Sequence, residues 1–427
     1  MSLLRTPPTR RHARRTAGTF VALATIVALT ACSTPAASPG VDEDTVTIGT
    51  HTPLTGPAAA GYSSISAAAS AYFDYLNDNG GIHGRSIEYV VKDDAYNPAT
   101  TQTVVRELVQ EHQVLAVVNG LGTPTHSAVL DYLNENGVPD LFVASGSPSW
   151  DQPETYPWTF AFNADYITEG KVLAHHAQQT HGDDAVYCVL GQDDDFGIDF
   201  AAGLTTVLDE LASTQTYAVS NQDVTAQIGA MQAAGCTVNF LATVNGFTAL
   251  ALGTAAKMGY RAQWLTSSSG GDYPTLLGYL GEENGPALLE GLVSTNYLPF
   301  SDDDPWVELF RRVNDEYNGG APFTGNTIFG MSVAYTFAEA LARAGEDPTR
   351  ESLVEALKSG DVVGNGILPL GFGADSHRAF GGVGITTVTG GVQDYVGEVW
   401  TTDNGDGEVV PYDGEAVALE NEGIPQS

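Results

Sequence analysis

Val46-Thr-Ile-Gly-Thr50 and Ile87-Glu-Tyr-Val-Val-Lys92 are short β-branched runs, and between them Ile65, Ala68, Ala69, Tyr72 and Leu76 recur at helical spacing. That helix is expected to end at Asn79-Gly80-Gly81, where glycine supplies the cap. A second helix opens at Asn97-Pro98, an N-cap followed by proline at the first helical position, and directs Val104, Val105, Leu108 and Val109 inward. Residues 114–118 and 141–144 read as further strands, with a third helix from about 125 to 136 between them. Strands alternating with helices imply right-handed crossovers and a parallel sheet.

Beyond Asn163 the pattern restarts, with helices at 168–179, 198–212, 225–234 and 247–258 and strands at 185–190, 216–219, 237–243 and 262–266. Two α/β lobes of similar size follow from this. A strand near 291–295, helices near 305–317, 326–343 and 350–358, and strand-like runs at 383–388 and 395–400 complete the body, and the acidic stretch 403–427 reads as a loose tail. Open α/β sheets bind ligands beyond the carboxyl ends of their strands, so the loops at 51–62, 93–97, 119–125, 145–150, 191–197, 244–247 and 267–272 are the candidate site.

Composition narrows the function. The chain has 427 residues, 43% of them hydrophobic, and a formal net charge of −35. Five of the 17 basic residues are arginines in the first fifteen positions, so the rest carries twelve bases against 52 acids. Such a body repels nucleic acid and anionic headgroups. The arginines precede an apolar run, 17–31, about as long as a signal-peptide core and too short to span a bilayer. It stops at Leu29-Thr-Ala-Cys32, which resembles the lipobox of bacterial lipoproteins. Residues 1–31 are therefore expected to be a signal peptide, Cys32 the lipidated terminus and 32–44 a linker, holding the body at the outer face of the cell membrane. Cys188 and Cys236 each sit in a short apolar run, and outside the cell they can form a disulfide or remain two buried thiols.

No Gly-x-Gly-x-x-Gly, phosphate-binding loop or Gly-x-Ser-x-Gly elbow occurs; Gly120-Leu-Gly122 lacks the third glycine. His175, His176 and His181 are not spaced as metal pairs, and Asp193–195 and Asp302–304 lack the rest of a calcium loop. No cofactor, metal or enzymatic chemistry is called for. Binding chemistry is present instead. The loops Gly120-Leu-Gly-Thr-Pro-Thr125 and Ala144-Ser-Gly-Ser-Pro-Ser149 are rich in small hydroxyls, and the first leads into a helix N-terminus that favours an anion. Thr125 and Ser147 equally suit helix capping. Tyr62, Tyr96, Trp150, Phe196 and Phe247 fall at the same loop positions as flat apolar walls, and Asn245 belongs to the loop 244–247.

Thr55-Gly-Pro57, Asn79-Gly-Gly-Ile-His-Gly-Arg85 and Lys92-Asp-Asp-Ala-Tyr-Asn-Pro98 occur in an order that resembles the branched-chain amino-acid (Leu/Ile/Val) binding proteins, the extracytoplasmic receptors of ABC importers. Val138-Pro-Asp-Leu-Phe-Val-Ala-Ser-Gly146, Tyr156-Pro-Trp-Thr159, Gly191-Gln-Asp-Asp-Asp-Phe-Gly197 and Ala256-Lys-Met-Gly259 continue the resemblance over roughly 45–400. It implies a type I periplasmic-binding-protein fold, two Rossmann-like lobes joined by three crossovers near Asn163, Thr295 and Phe372. Lobe 1 would then comprise 45–163 with about 296–372, and lobe 2 would comprise 164–295 with about 373–402. It also implies a monomer that works with ABC permease subunits and touches the membrane only through its anchor.

By position, the resemblance assigns the ligand carboxylate to Thr123, with Pro124 and Thr125 beside it, and to Ser145 with Gly146 and Ser147; Phe196 closes over the ligand. The acid that pairs with a ligand ammonium in the family aligns near Ser268, and Tyr96 and Gly122 occupy the positions of the family's lobe 1 disulfide. A serine there argues against a required ammonium, and the phrasing around 138–159 looks more like receptors for aromatic or other organic acids. If an ammonium is bound, Asp94 and Asp272 are the nearest acids in the cleft loops. The expectation is a lipid-anchored solute receptor for a small carboxylate ligand. A ligand-sensing receptor for a membrane signalling partner is the alternative, and an α/β enzyme the third.

Overall fold

The computed structural model describes residues 38–426 apart from Asp183; the expected signal peptide, Cys32 and the first part of the linker lie outside these residues. Alternating β-branched residues form β1 (Thr45–Thr52), burying Val46 and Ile48 while Thr45 and Thr47 stay half exposed. It is followed by α1 (Ala59–Asp78), β2 (Ser86–Asp93), α2 (Pro98–Gln110), β3 (Val117–Val118), α3 (Thr123–Ser127), α4 (Leu130–Glu135), β4 (Asp140–Val143) and β5 (Thr159–Ala161). Ile65, Ala68, Ala69, Tyr72 and Leu76 are the buried face of α1, and the Asn97 side chain caps α2 by accepting from the Ala99 and Thr100 amides. The strands make one parallel sheet in the order β2-β1-β3-β4-β5. The helix expected over 125–136 is broken at Ala128-Val129 into α3 and α4. Its first turn bonds back on itself: the Thr125 hydroxyl donates to the Leu121 and Gly122 carbonyls and the Ser127 hydroxyl to that of Thr123.

The second lobe begins with α5 (Tyr166–His181), β6 (Tyr187–Gln192), α6 (Asp195–Val207), β7 (Ser213–Tyr217), α7 (Thr225–Ala233) and β8 (Val238–Ala242). It continues through α8 (Asn245–Lys257), β9 (Gln263–Thr266), α9 (Tyr273–Leu280), α10 (Gly285–Leu289) and β10 (Val293–Asn296). α11 (Pro305–Tyr317), α12 (Gly325–Ala344) and α13 (Arg350–Lys358) return to lobe 1, where α12 lies on α1 with Gly330 against the Ile65 carbonyl. β11 (Gly382–Thr389), β12 (Val392–Thr401) and β13 (Val410–Pro411) rejoin lobe 2. Its sheet runs β13-β12-β11-β10-β9-β8-β6-β7, parallel from β7 to β10 and antiparallel thereafter. Gly390 and Gly391, at φ of 61° and 83°, supply the two-residue turn that makes β11 and β12 antiparallel neighbours. Cys188 in β6 and Cys236 just ahead of β8 form a disulfide across neighbouring strands.

The chain passes between the sheets three times, at 162–165, 297–304 and 359–381. One aromatic residue from each passage meets at the hinge: Phe380 stacks on Tyr297 at 4.8 Å and packs edge-on against Phe162 at 5.7 Å. The segment after Thr402 is not loose. The buried Lys171 ammonium of α5 donates to the Asp403, Gly405 and Gly407 carbonyls at 3.0, 3.0 and 2.7 Å. Farther on, the Trp306 indole donates to the Val417 carbonyl and the Tyr72 phenol to that of Gly423. Two acidic side chains add to these backbone contacts: Asp403 Oδ1 accepts from Lys171 at 3.3 Å, and Glu422 pairs with Arg312 at 2.7 Å. No helix among the described residues is long and apolar enough to cross a membrane.

Candidate ligand-binding site

A cleft opens where the carboxyl ends of the two sheets face each other. Ile65, Leu121, Val244, Leu298, Phe300 and Phe329 give it apolar walls. Tyr62, Tyr96, Thr123, Phe196, Asn245 and Ser268, all expected from the sequence, line it. Among the described residues the lining holds no lysine, arginine or histidine, and its one carboxyl there, Asp272, caps α9 by accepting from Thr275 and also accepts from the Gly325 amide at 2.8 Å.

Thr123 and Tyr166 bring hydroxyls to the cleft lining, while the expected Ser145 and Gly146 lie just behind it. Thr123 Oγ1 and Ser145 Oγ are 2.7 Å apart, both buried. Gly122 turns the chain into this position at φ 100°, where a side chain would meet the Tyr96 ring and the Thr125 hydroxyl. Ser145 stands one step behind Thr123, and the Gly146 carbonyl accepts from the Tyr166 amide at 2.7 Å. Burial pushes the Tyr166 phenol above its ordinary range, against hydrogen bonding from Gly146 and the Ser269, Ser145 and Thr123 hydroxyls. Thus Tyr166, unforeseen because its helix was expected to begin at 168, completes the cluster and packs tilted against Phe196, ring centroids 4.2 Å apart. Because α3 has only five residues, the hydroxyls rather than a helix dipole are the donors.

Other expected residues lie elsewhere. Thr125 is spent on its own turn, Pro124 does not line the cleft, and Trp150 is buried edge-on against His126. The Ser147 hydroxyl caps the short turn Pro148–Trp150 and donates across the lobes to Asp199 at 3.1 Å; burial raises that carboxyl to about 6. Asp94 is buried against His51 and does not line the cleft. The acid nearest Ser268 is instead Glu169 of α5, whose Oε1 accepts from the Ser268 amide at 3.1 Å and from the Thr295 hydroxyl at 2.7 Å. Full burial raises it to about 7, and among the described residues its Oε2 has no hydrogen-bond partner. Asn296 at the end of β10, Tyr297 in the second crossover, Asn326 in α12 and Gln393 in β12 also line the cleft. The lobes meet over it: the Tyr62 phenol donates to the Ser269 carbonyl at 2.6 Å, and the Gln192 amide donates to the Tyr96 phenol at 3.4 Å.

Residues 45–393 match the family described as periplasmic binding protein. The chain belongs to the periplasmic binding protein family. A relative from Brucella suis biovar 1 (strain 1330), the Leu/Ile/Val-binding protein homolog 1, is 24% identical over 318 residues, which is 73% of this chain and 82% of that protein. Two solved structures show the same fold. The fatty acid ABC transporter substrate-binding protein from Thermomonospora curvata superposes with a TM-score of 0.76 at 22% identity, over 86% of this chain and 95% of its own. A branched chain amino acid ABC transporter protein from Thermus thermophilus with bound valine gives 0.75 at 21% identity, over 85% and 98%. The relatives that resemble this periplasmic binding protein are thus named for branched-chain amino acids and for a fatty acid.

Proposed function

We propose that this binding protein captures a small carboxylate with an apolar or aromatic body and delivers it to an ABC permease by closing its lobes. The observation that carries the ligand class is the Thr123–Ser145–Tyr166 hydroxyl cluster at a cleft lined, among the described residues, by no cationic side chain. Several neutral donors that converge on one point hold a carboxylate without a counter-charge. Valine and a fatty acid, named for the two structural neighbours, share a carboxylate and an apolar body and differ in the ammonium. With Asp272 already spent, the cleft suits the ligand without the ammonium. We further propose that the body is extracytoplasmic and tethered through Cys32, so that Cys32→Ala releases it from membranes.

A second reading is an amino acid, favoured by the unpartnered Glu169 Oε2 beyond Ser268 and Thr295. A thermal-shift series over leucine, 4-methylpentanoate, phenylacetate and their neutral amides separates the two, because a binder stabilises by mass action. The acids are expected to raise Tm and the amides not. Stabilisation by leucine alone would establish the amino-acid reading, and stabilisation by amides alone would remove the carboxylate site.

A further inference from the structure

Beneath the lobe 1 half of the cleft, four fully buried side chains form one line: Asp94 Oδ2 to His51 Nδ1 at 2.8 Å, His51 Nε2 to His126 Nδ1 at 3.0 Å, and His126 Nε2 to Asp140 Oδ2 at 2.8 Å. The Thr101 hydroxyl donates to Asp94 and the Thr159 hydroxyl to Asp140, extending the line at both ends. Its members follow the strand order: Asp94 after β2, His51 in β1, His126 after β3, Asp140 in β4 and Thr159 in β5. Gly120 is what lets the rings meet, since a Cβ there would lie 2.5 Å from both His51 Nε2 and His126 Nδ1. The Gly120-Leu-Gly122 sequence, which fits no nucleotide motif, thus has a local use.

Three contacts of this length need three protons, one between each pair of heavy atoms. Two neutral imidazoles bring two. Burial pushes the His51 imidazole below its usual range, which suits a neutral His51 donating to Asp94 and accepting from His126. Asp94 already accepts from the Tyr96 amide and the Thr101 hydroxyl, and Asp140 from the Thr159 hydroxyl, so both ends of the line are acceptors and the third proton falls between the rings and Asp140, with His126 donating to both sides. The titratable groups facing the two rings are Asp94 and Asp140 and each other; Thr101 and Thr159 bond the carboxylates, and Trp150 packs edge-on against His126 at 5.0 Å.

The line ends at the cleft wall. Asp94 Oδ1 accepts the Tyr96 amide at 2.9 Å, and Ala95 and Tyr96 both hold positive φ, 53° and 56°, a conformation that needs outside support. His126 lies one turn after Thr123 on α3. We infer that the Asp94–His51–His126–Asp140 line holds one proton more than two neutral imidazoles carry, and that this protonated brace positions Tyr96 and Thr123 for the ligand. These four are positioning residues, and the inference does not depend on which solute binds.

Magnetic resonance of the full chain carrying ¹⁵N-histidine counts the protons directly. At pH 7 the two rings are expected to show three slowly exchanging N–H protons, assigned by the ¹⁵N–¹⁵N coupling across the His51–His126 hydrogen bond. Exchange at the Tyr96 amide reads the positioning. Gly120→Ala keeps every titratable group but places a methyl between the rings, and His51→Leu removes two links. Each is expected to speed Tyr96 exchange at least tenfold while the Phe240 amide, in the other lobe, stays unchanged. Two ring protons in place of three at neutral pH would overturn the inference, as would a Tyr96 amide equally protected in both variants; the proton count needs no variant to fold.

Discussion

The phenol of Tyr62, on α1 of lobe 1, donates a 2.6 Å hydrogen bond to the carbonyl of Ser269 in lobe 2 and accepts the Asn245 amide at 3.3 Å. One side chain thereby latches both lobes over the cleft. Removing its oxygen leaves two polar backbone groups without that partner, at a cost of about 1–3 kcal/mol. Tyr62→Phe is expected to shift the unliganded protein toward an open form with a larger radius of gyration in small-angle scattering, and to weaken solute binding roughly 5- to 150-fold. An unchanged scattering curve would remove Tyr62 as a latch.

Thr123 and Ser145 share a hydrogen bond of 2.7 Å, whereas Thr125 two residues along is spent on the Leu121 and Gly122 carbonyls. Thr123→Ala and Ser145→Ala are each expected to weaken binding of 4-methylpentanoate about 5- to 150-fold by calorimetry. Thr125→Ala is expected to lower stability by about 1 kcal/mol and leave affinity within about twofold. Equal losses of affinity at all three positions would show that the effect comes from loop disorder.

Glu169 provides a pH test. Burial raises its carboxyl from 4.5 to about 7, so between those values the folded protein binds a proton that the unfolded chain releases. Stability therefore falls as pH rises from about 4.5 to 7, by on the order of 3 kcal/mol in all. Glu169→Gln keeps an acceptor for Ser268 and Thr295 and is expected to flatten this slope in denaturant titrations. A slope that persists in the variant would assign it to other groups.

The Cys188–Cys236 disulfide closes a loop with a sequence separation of 48. Constraint of the unfolded chain by a loop of that size is worth about 4 kcal/mol. Because the pair links neighbouring strands in the core of lobe 2, the double change Cys188→Ala, Cys236→Ala is expected to lower stability by about 2–4 kcal/mol with little effect on a lobe 1 probe such as Thr123 binding. Equal denaturation midpoints with and without the bridge would contradict this.

Short-range order was legible in the chain. The helical spacing of Ile65 to Leu76, the Asn97-Pro98 cap and the β-branched runs at 46–50 and 87–92 depend on neighbours within a turn or two, and they place the loops that carry Thr123, Phe196 and Asn245. The hydroxyl-rich loops were legible as well, but not which hydroxyl faces the ligand. Thr123 and Thr125 have the same side chain two residues apart; only the bend at Gly122 and the break of the helix at Ala128-Val129 point one at the cleft and the other at its own backbone.

The sequence by itself determined two α/β lobes, the loops that bound the cleft and the absence of the local motifs that nucleotide or zinc chemistry needs. The tertiary structure decided which residues meet. Tyr166 reaches Thr123, and Glu169 reaches Ser268 and Thr295 at sequence distances of 99 and 126, because α5 starts at the hinge. Trp150 turns into the core, and the acidic segment after Thr402 is held through its carbonyls by Lys171 and Trp306. Periodicity and capping are set by adjacent residues and can be read along the chain; such meetings come from the packing of distant helices and sheets, whose pairings leave no local pattern.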